Sequence, residues 1–510
     1  MADVTTWLED TALRLPDKVA VRGVDDSLTY RELRERVHNA ATWLIDEAGL
    51  RPRTAVALYL EKSPLALACM LGCAAVGGYY SVIDVRQPEG RVKSILAALD
   101  PCVIVCDETT RADAQAIAAT GGWRVESLTD ICEHAPDDEA IEVARAGVCD
   151  VDPLYVNFTS GSTGTPKGVV VARRSVADFI PVFCRTFSIG EDDVIANQAP
   201  FDFDVSVKDI YSCLLTGATL VLVPRDYFSN PTLLMDLITD AGATTLIWAV
   251  SALCFVSIMG GLDYRVPTSV RRVLFSGEVM PPKQLAVWQR HLEDATYVNL
   301  YGPTEICCNC TYHVVERIFE PQEQIPMGVP FENERVFLLD ENDRLVEEPL
   351  VEGEVCVAGT CVALGYLGDL ERTAQSFTQN PLTPDWQETI YRTGDLAYLD
   401  EDGRLVYASR KDNQIKHLGQ RIELGDIEAQ AHAVEGVERA VCLYDAGRKR
   451  LVLCYVGAVD RKELKRQLRE LLPSYMVPNN TRQVDSMPLT KNGKVDRGEL
   501  ARIARISGMR

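Results

Sequence analysis

NFTSGSTGTPKGVVV, residues 157–171, is an extended segment that breaks into a Gly/Ser/Thr loop and resumes as a valine run. Gly161, Gly164 and Gly168 let backbone N–H groups approach an anion with no Cβ in the way, and the hydroxyls of Thr159, Ser160, Ser162 and Thr163 add donors. Lys167 brings positive charge to the same nest. A Walker A loop is excluded, because Pro166 stands where GxxxxGK[ST] requires glycine. A flexible linker has the same composition, but it has no use for Pro-Lys-Gly running straight into a strand. The stretch reads as an anion-binding loop between two strands.

Outward from that loop the chain alternates helical and extended patterns. LTYRELRERVHNAATWLIDEAG (28–49) is helical, with Leu33, Val37, Ala41 and Leu44 on one stripe. AVALYL (55–60), CVIVC (102–106), TLVLV (219–223), TTLIWAV (244–250) and VRRVLFSG (270–277) are short continuous apolar runs, as in parallel strands covered on both faces. So many strands predict an α/β fold of two doubly wound sheets. From about 331 to 411, turn dipeptides between short strands predict a small antiparallel barrel, with Asp402-Gly403 as one hairpin turn. A smaller α+β domain is expected over 412–510, after a core of 1–411. Its clearest helix, 460–472, is expected to open with the capping pair Asp460 and Glu463.

The 510 residues are 47% apolar and 25% charged, which excludes disorder and low complexity as the main description. A net charge of −22 disfavours nucleic acid as a partner. The charge is uneven. Residues 1–411 hold 34 Lys+Arg against 61 Asp+Glu, whereas 412–510 hold 18 against 13. The 16 cysteines lie mostly in apolar runs and read as buried free thiols. Cys307, Cys308 and Cys310 resemble a metal cluster, but adjacent cysteines rarely ligate one ion and no CxxC partner stands near. MADVTTWLED lacks a secretory signal. Ser63 to Ile83 is uncharged over 21 residues, yet Ser63-Pro64 reads as N-cap then N1 and Gly77-Gly78 as a stop, so a buried helix leading into a strand is expected rather than a membrane span. A cytoplasmic protein is expected.

The loop, together with LTYREL (28–33), NLYGPTE (299–305), YRTGDLAYLDEDGRLVYASRKDNQIKHLGQRIE (391–423) and LTKNGKVDR (489–497), resembles the AMP-forming adenylate superfamily: acyl-CoA synthetases, luciferases and peptide-synthetase adenylation domains. The resemblance implies ATP-driven activation of a carboxylate, with pyrophosphate as product, and then displacement of AMP by a thiol. Catalysis would be positioning plus cancellation of charge on phosphate. Its ATP-binding set falls on Thr159, Ser160, Gly161, Thr163 and Lys167 of the loop, on Asn299, Leu300, Tyr301, Gly302, Pro303 and Thr304, and on Asp395, Tyr407, Arg410 and Lys494. Tyr301 is expected to stack on adenine, Asp395 to accept from the ribose hydroxyls and Glu305 to hold Mg²⁺. Arg410 would reach ribose or phosphate. Lys494, the expected catalytic residue, would bridge the carboxylate and the α-phosphate. Asp412 is the expected hinge of a mobile lid.

NQAPFDFDVSVKDIY (197–211) selects the acid. In amino-acid-activating relatives an aspartate here faces the substrate ammonium, which out of water must be paired. The pattern of Phe203, Val205 and Val207 favours Asp204 over Asp202. With LIWAVS (246–251) and LFSGEV (274–279), the chain most resembles D-alanine–carrier protein ligases. Val205, Lys208, Trp248, Leu274, Ser276, Leu300, Cys308 and Asn309 fall at the other positions of that site, with Trp248 filling volume to suit a small side chain. Ser276 and Lys208 depart from that family, which has cysteine and an apolar residue there. Lys208 is expected to snorkel outward; pointing inward, it would pair an acidic or amide side chain. No phosphopantetheine site follows LTKNGKVDRGEL, so a separate carrier protein is expected, acidic enough to meet the basic C-terminal stretch. The competing readings are an acyl- or aryl-CoA ligase of the same superfamily and a silent nucleotide-binding module.

Overall fold

The continuous apolar runs become the inner strands of two sheets, because a strand buried on both faces has no polar face to show. The computed structural model describes residues 4–160, 166–411, 414–417, 419–488 and 495–506. It divides into two units, one of residues 1–85, 99–157 and 169–408, the other of 86–98, 158–168 and 409–510.

In the first unit a nine-stranded sheet runs Val329–Pro330, Thr311–Val314, Thr296–Tyr301, Arg272–Ser276, Thr245–Ala249, Val194–Asn197, Thr219–Leu222, Val19–Arg22, Ser27–Thr29. The six strands from Thr296–Tyr301 to Val19–Arg22 are parallel neighbours. A second sheet of seven strands runs Gly365–Tyr366, Lys167–Ala172, Pro153–Thr159, Tyr79–Val82, Ala55–Tyr59, Val103–Cys106, Val125–Ser127. The Gly/Ser/Thr loop therefore connects two neighbouring strands of this sheet. Helices Tyr30–Asp46, Pro64–Ala75, Arg173–Thr186 and Val205–Thr216 pack into one large apolar core with both sheets.

Local signals explain where these elements begin. Thr29 and Glu32 form a reciprocal capping box that opens Tyr30–Asp46. Ser63 Oγ accepts from Ala66 N–H at 3.1 Å, with Pro64 at the first helical position. The uncharged stretch 63–83 is thus helix Pro64–Ala75 followed by strand Tyr79–Val82, and no helix among the described residues is long and apolar enough to cross a membrane.

The barrel expected over 331–411 is, among the described residues, an open six-stranded sheet. Its order is Leu345–Val346, Glu334–Leu339, Gly353–Gly359, Thr389–Leu399, Phe377–Gln379, with Leu405–Arg410 also on Thr389–Leu399. Gly403, at φ 77°, makes the turn between its last two strands, its N–H donating to Asp400 O.

In the second unit strands Val437–Asp445, Arg450–Gly457 and Asn480–Gln483 form a three-stranded sheet, with helices Leu424–His432 and Arg461–Leu471 enclosing a small core. Asp460 caps Arg461–Leu471 by accepting from Lys462 N–H. Glu463 does not complete a capping box: its carboxylate is taken by Arg466 and Gln467 on its own helix. All sixteen cysteines are free thiols, and only Cys102 and Cys149 are not fully buried.

Candidate functional site

Strand Thr296–Tyr301 delivers the nucleotide-side residues to the carboxyl end of the nine-stranded sheet, where open α/β sheets bind ligands. Tyr301 donates its hydroxyl to Asp395 Oδ2 at 2.5 Å. Asp395 is fixed again by its own N–H, which donates to Thr393 Oγ1 at 3.0 Å, and Thr393 in turn donates to Val355 O. Burial and the neighbouring Asp395 charge push the Tyr301 phenol well above its usual range, so it stays a donor. Asn299 Nδ2 donates to Pro326 O, and Leu300 lies in the core beneath the strand.

The chain then doubles back sharply. A Cβ on Gly302 would sit 2.5 Å from Asn309 Cα, so Pro303 and Thr304 follow a position only glycine fills. Glu305, fully buried, accepts from Tyr366 O–H at 2.8 Å, while its main-chain oxygen accepts from Ala363 N–H. A buried carboxylate oxygen is the hard donor that Mg²⁺ takes, so the residue fits the ion expected there.

Of the loop, Gly161 and Thr163 lie outside the described residues, as do the hinge Asp412 and Lys494. Thr159 Oγ1 is buried with no hydrogen-bond partner among the described residues. A hydroxyl so placed suits an anionic oxygen supplied by a ligand. Ser160 differs from the expectation, because its hydroxyl donates to Arg421 O at 2.7 Å and accepts from Glu423 N–H at 3.2 Å, which commits it to protein. Lys167 is buried at the start of its strand. Tyr407 accepts at its main-chain oxygen from Gln324 Nε2, and Arg410 ends the strand Leu405–Arg410.

The guest side is built on helix Val205–Thr216. Asp204, 7% exposed, stands at its N-terminal end, and its main-chain oxygen accepts from Cys308 Sγ at 3.2 Å. Val205, Leu274, Leu300 and Cys308 pack in one cluster there. Asp202 belongs elsewhere: burial and Asp84 push its carboxyl up to about 7 against the pull of Arg225. Lys208 overturns the outward expectation. It is 0% exposed and donates to Asn309 Oδ1, because one helical turn carries it from Asp204 to the same buried face. Beside it Asp209 accepts from Asn197 Nδ2 at 2.6 Å, and Lys62 donates to Asn197 Oδ1 at 2.8 Å. Burial pushes Asp209 up to about 7 and pulls Lys62 down to about 7.

Trp248 is not on that face. Its indole N–H donates to Ala196 O at 2.8 Å and its rings meet Phe228 and Trp288 in the cluster on the other side of the sheet. Side chains alternate along a strand, and the parallel register pairs Ala249 with Ser276 and Ile247 with Leu274. Ala249 therefore holds the position assigned to Trp248. Counting the alternation from Leu274 and Ser276 finds it in the sequence.

Residues 8–367 match the AMP-binding enzyme family and residues 426–494 match the AMP-binding enzyme C-terminal domain, so the chain belongs to the AMP-binding enzyme family. It is 34% identical to L-proline--[L-prolyl-carrier protein] ligase of Streptomyces coelicolor, over 92% of this chain and 91% of that one. It is also 33% identical to bacitracin synthase 1 of Bacillus licheniformis, over 98% of this chain. It spans only 9% of that synthase, and no more than 21% of the other large synthases most like it. A solved structure described as holo-PA1221, an NRPS protein containing adenylation and PCP domains, matches with a TM-score of 0.85 at 26% identity, over 98% of this chain and 84% of that chain.

Proposed function

We propose that this chain activates an amino acid with ATP, forming an aminoacyl-adenylate and pyrophosphate, and passes the aminoacyl group to the phosphopantetheine thiol of a separate carrier protein. The observation that carries the reading is Asp204, a carboxylate buried at the head of helix Val205–Thr216 beside the turn that Tyr301 and Glu305 open. A zwitterionic guest needs such a counter-ion; a fatty or aryl acid does not. Kinship with a carrier-protein ligase over nearly the full length of both chains supports the second step.

In this reading a carboxylate oxygen of the guest attacks the α-phosphorus, the bond to the β-phosphate bridge breaks, and pyrophosphate leaves. Asp204 holds the ammonium so that the attacking oxygen is in line. Asp395, held by Tyr301, accepts from the ribose hydroxyls. Thr159 and Lys167 face the phosphates, and Lys494 offsets the charge that builds between carboxylate and α-phosphate. Glu305 would hold Mg²⁺, which offsets charge on the phosphates when bound. The carrier thiolate then attacks the acyl carbonyl and AMP leaves. The basic balance of 412–510 suits an acidic carrier, and Asp412 is the place for a hinge between the two steps. D-alanine as the guest rests on resemblance, and it loses the support of Trp248.

The test is ATP–pyrophosphate exchange driven by a panel of acids. Amino acids are expected to drive it, and fatty and aromatic acids are not; the reverse makes the chain an acyl- or aryl-CoA ligase. Lys494→Ala is expected to abolish exchange while nucleotide binding persists, and undiminished exchange in that variant removes the mechanism.

A further inference from the structure

The buried Lys208 is not accounted for by activation of a small neutral amino acid. Its side chain is 0% exposed, and among the described residues it has one hydrogen-bond acceptor, Asn309 Oδ1. An ammonium carries three donors, and leaving it buried with a neutral amide alone is costly. The nearest acid along the helix, Asp209, is already occupied: Oδ2 accepts from Asn197 Nδ2, and Lys62 is the second cation beside it. Two buried lysines thus share one buried aspartate, and the surplus positive charge sits on the Asp204 side.

Cys308 shows how close the two charges are. Its sulfur donates to Asp204 O, its neighbour Asn309 accepts from Lys208, and its thiol feels both the Lys208 and the Asp204 charge. Asp204 and Lys208 are one helical turn apart on one face, which puts their Cβ atoms about 6 Å from each other. A guest that carries an ammonium for Asp204 and a carboxylate for Lys208 matches that spacing. Asn309, its Oδ1 committed to Lys208, keeps its Nδ2 donors for the same carboxylate.

We infer that the amino acid activated here has an acidic side chain, with Lys208 and Asn309 binding the side-chain carboxylate while Asp204 binds the ammonium. An amide guest of the same length leaves the Lys208 charge uncompensated, and alanine leaves the whole group unfilled. With Ala249 and Ser276 rather than a tryptophan on the facing strands, there is no bulky wall to restrict the guest to a methyl side chain.

The inference rests on the amino-acid activation reading, and the exchange assay separates the two. Wild-type protein is assayed with both enantiomers of aspartate, glutamate, asparagine, glutamine and alanine, and with proline and lysine. An acidic amino acid is expected to exceed its own amide and alanine by roughly 100-fold or more in kcat/KM. Lys208→Gln, which keeps the stem and a polar head, is expected to reverse the preference of acid over amide. Lys208→Met is expected to lose the acidic substrate, with circular dichroism and ATP binding as controls for folding. Faster exchange with alanine, proline or another uncharged amino acid overturns the inference and leaves activation standing. An acidic preference that survives in Lys208→Gln also overturns it. If no amino acid drives exchange, the activation reading fails and this inference goes with it.

Discussion

On the nucleotide side of the turn 302–309, Asp395 is clamped by Tyr301 and by Thr393, residues from stretches with a strong sequence signature. On the guest side, Asp204 and Lys208 share one helix face, and the residues around them depart from the family they most resemble. The first arrangement binds a part common to every reaction of the family, so it is finished within the protein. The second is completed by its guest, because the buried Lys208 charge calls for a ligand of opposite sign.

Four measurements break or sharpen that contrast, taken from the largest effect to the smallest. Asp204→Ala should lower kcat/KM for the amino acid by roughly 10²–10³-fold, since removing one partner of a buried pair strands the other. ATP binding should stay within about twofold; an equal loss on both substrates would mean the two sides are not separate. Tyr301→Phe should act on the other side alone. It removes one hydrogen bond to a carboxylate, worth about 1.5–3 kcal/mol, and should raise the KM for ATP roughly tenfold or more with the amino-acid KM unchanged.

Trp248 and Ala249 make a paired test of strand alternation. Trp248→Phe loses the hydrogen bond to Ala196 O and some core volume, so it should cost about 1–3 kcal/mol in urea unfolding without altering which amino acid is preferred. Ala249→Leu should do the opposite, shifting preference toward smaller guests with little loss of stability. A changed substrate order in Trp248→Phe would return Trp248 to the site.

The smallest effect lies far from either side. His38 is held between Glu9 Oε1 at 2.7 Å and Asp138 Oδ1 at 2.6 Å. Burial pulls the imidazole down, but the two hydrogen bonds outweigh it and its pKa is raised. Burial likewise pushes Glu9 up, and His38 and Arg34 outweigh it, holding Glu9 at about 2. A raised histidine stabilises the fold fully below its unfolded value of about 6.5 and loses that contribution as pH rises through its native value. The thermal midpoint should therefore fall modestly from pH 6.5 upward, and His38→Gln should flatten the slope. A steeper slope in the variant would reverse the sign.

How much of this is legible in the sequence divides along the same line. The sheets are readable because buried parallel strands are continuous apolar runs, and the capping box at Thr29 and Glu32 is a local signal. Asp395, Tyr301 and Glu305 are readable from motifs. Trp248 misleads because a run of apolar residues, TTLIWAV, hides which face each one takes until a neighbouring strand sets the register. Lys208 reads as a solvent residue because its acceptor, Asn309, is 101 positions away. Ser160 escapes assignment too, since its partners, Arg421 and Glu423, lie 261 and 263 residues further on. Motifs report short-range chemistry; charge pairing across the fold does not appear in them.

Tyr366 joins what the sequence separates. Its backbone pairs with Val169 in the seven-stranded sheet, while its hydroxyl holds the carboxylate of Glu305 beyond the end of the nine-stranded one. Anyone building chimeras to redirect selectivity by transplanting the 197–309 segment from a relative would cut this tie unless residues 363–366 travel with it. Grafts that respect the junction should keep their catalytic rate, and those that ignore it should trade turnover for the new preference.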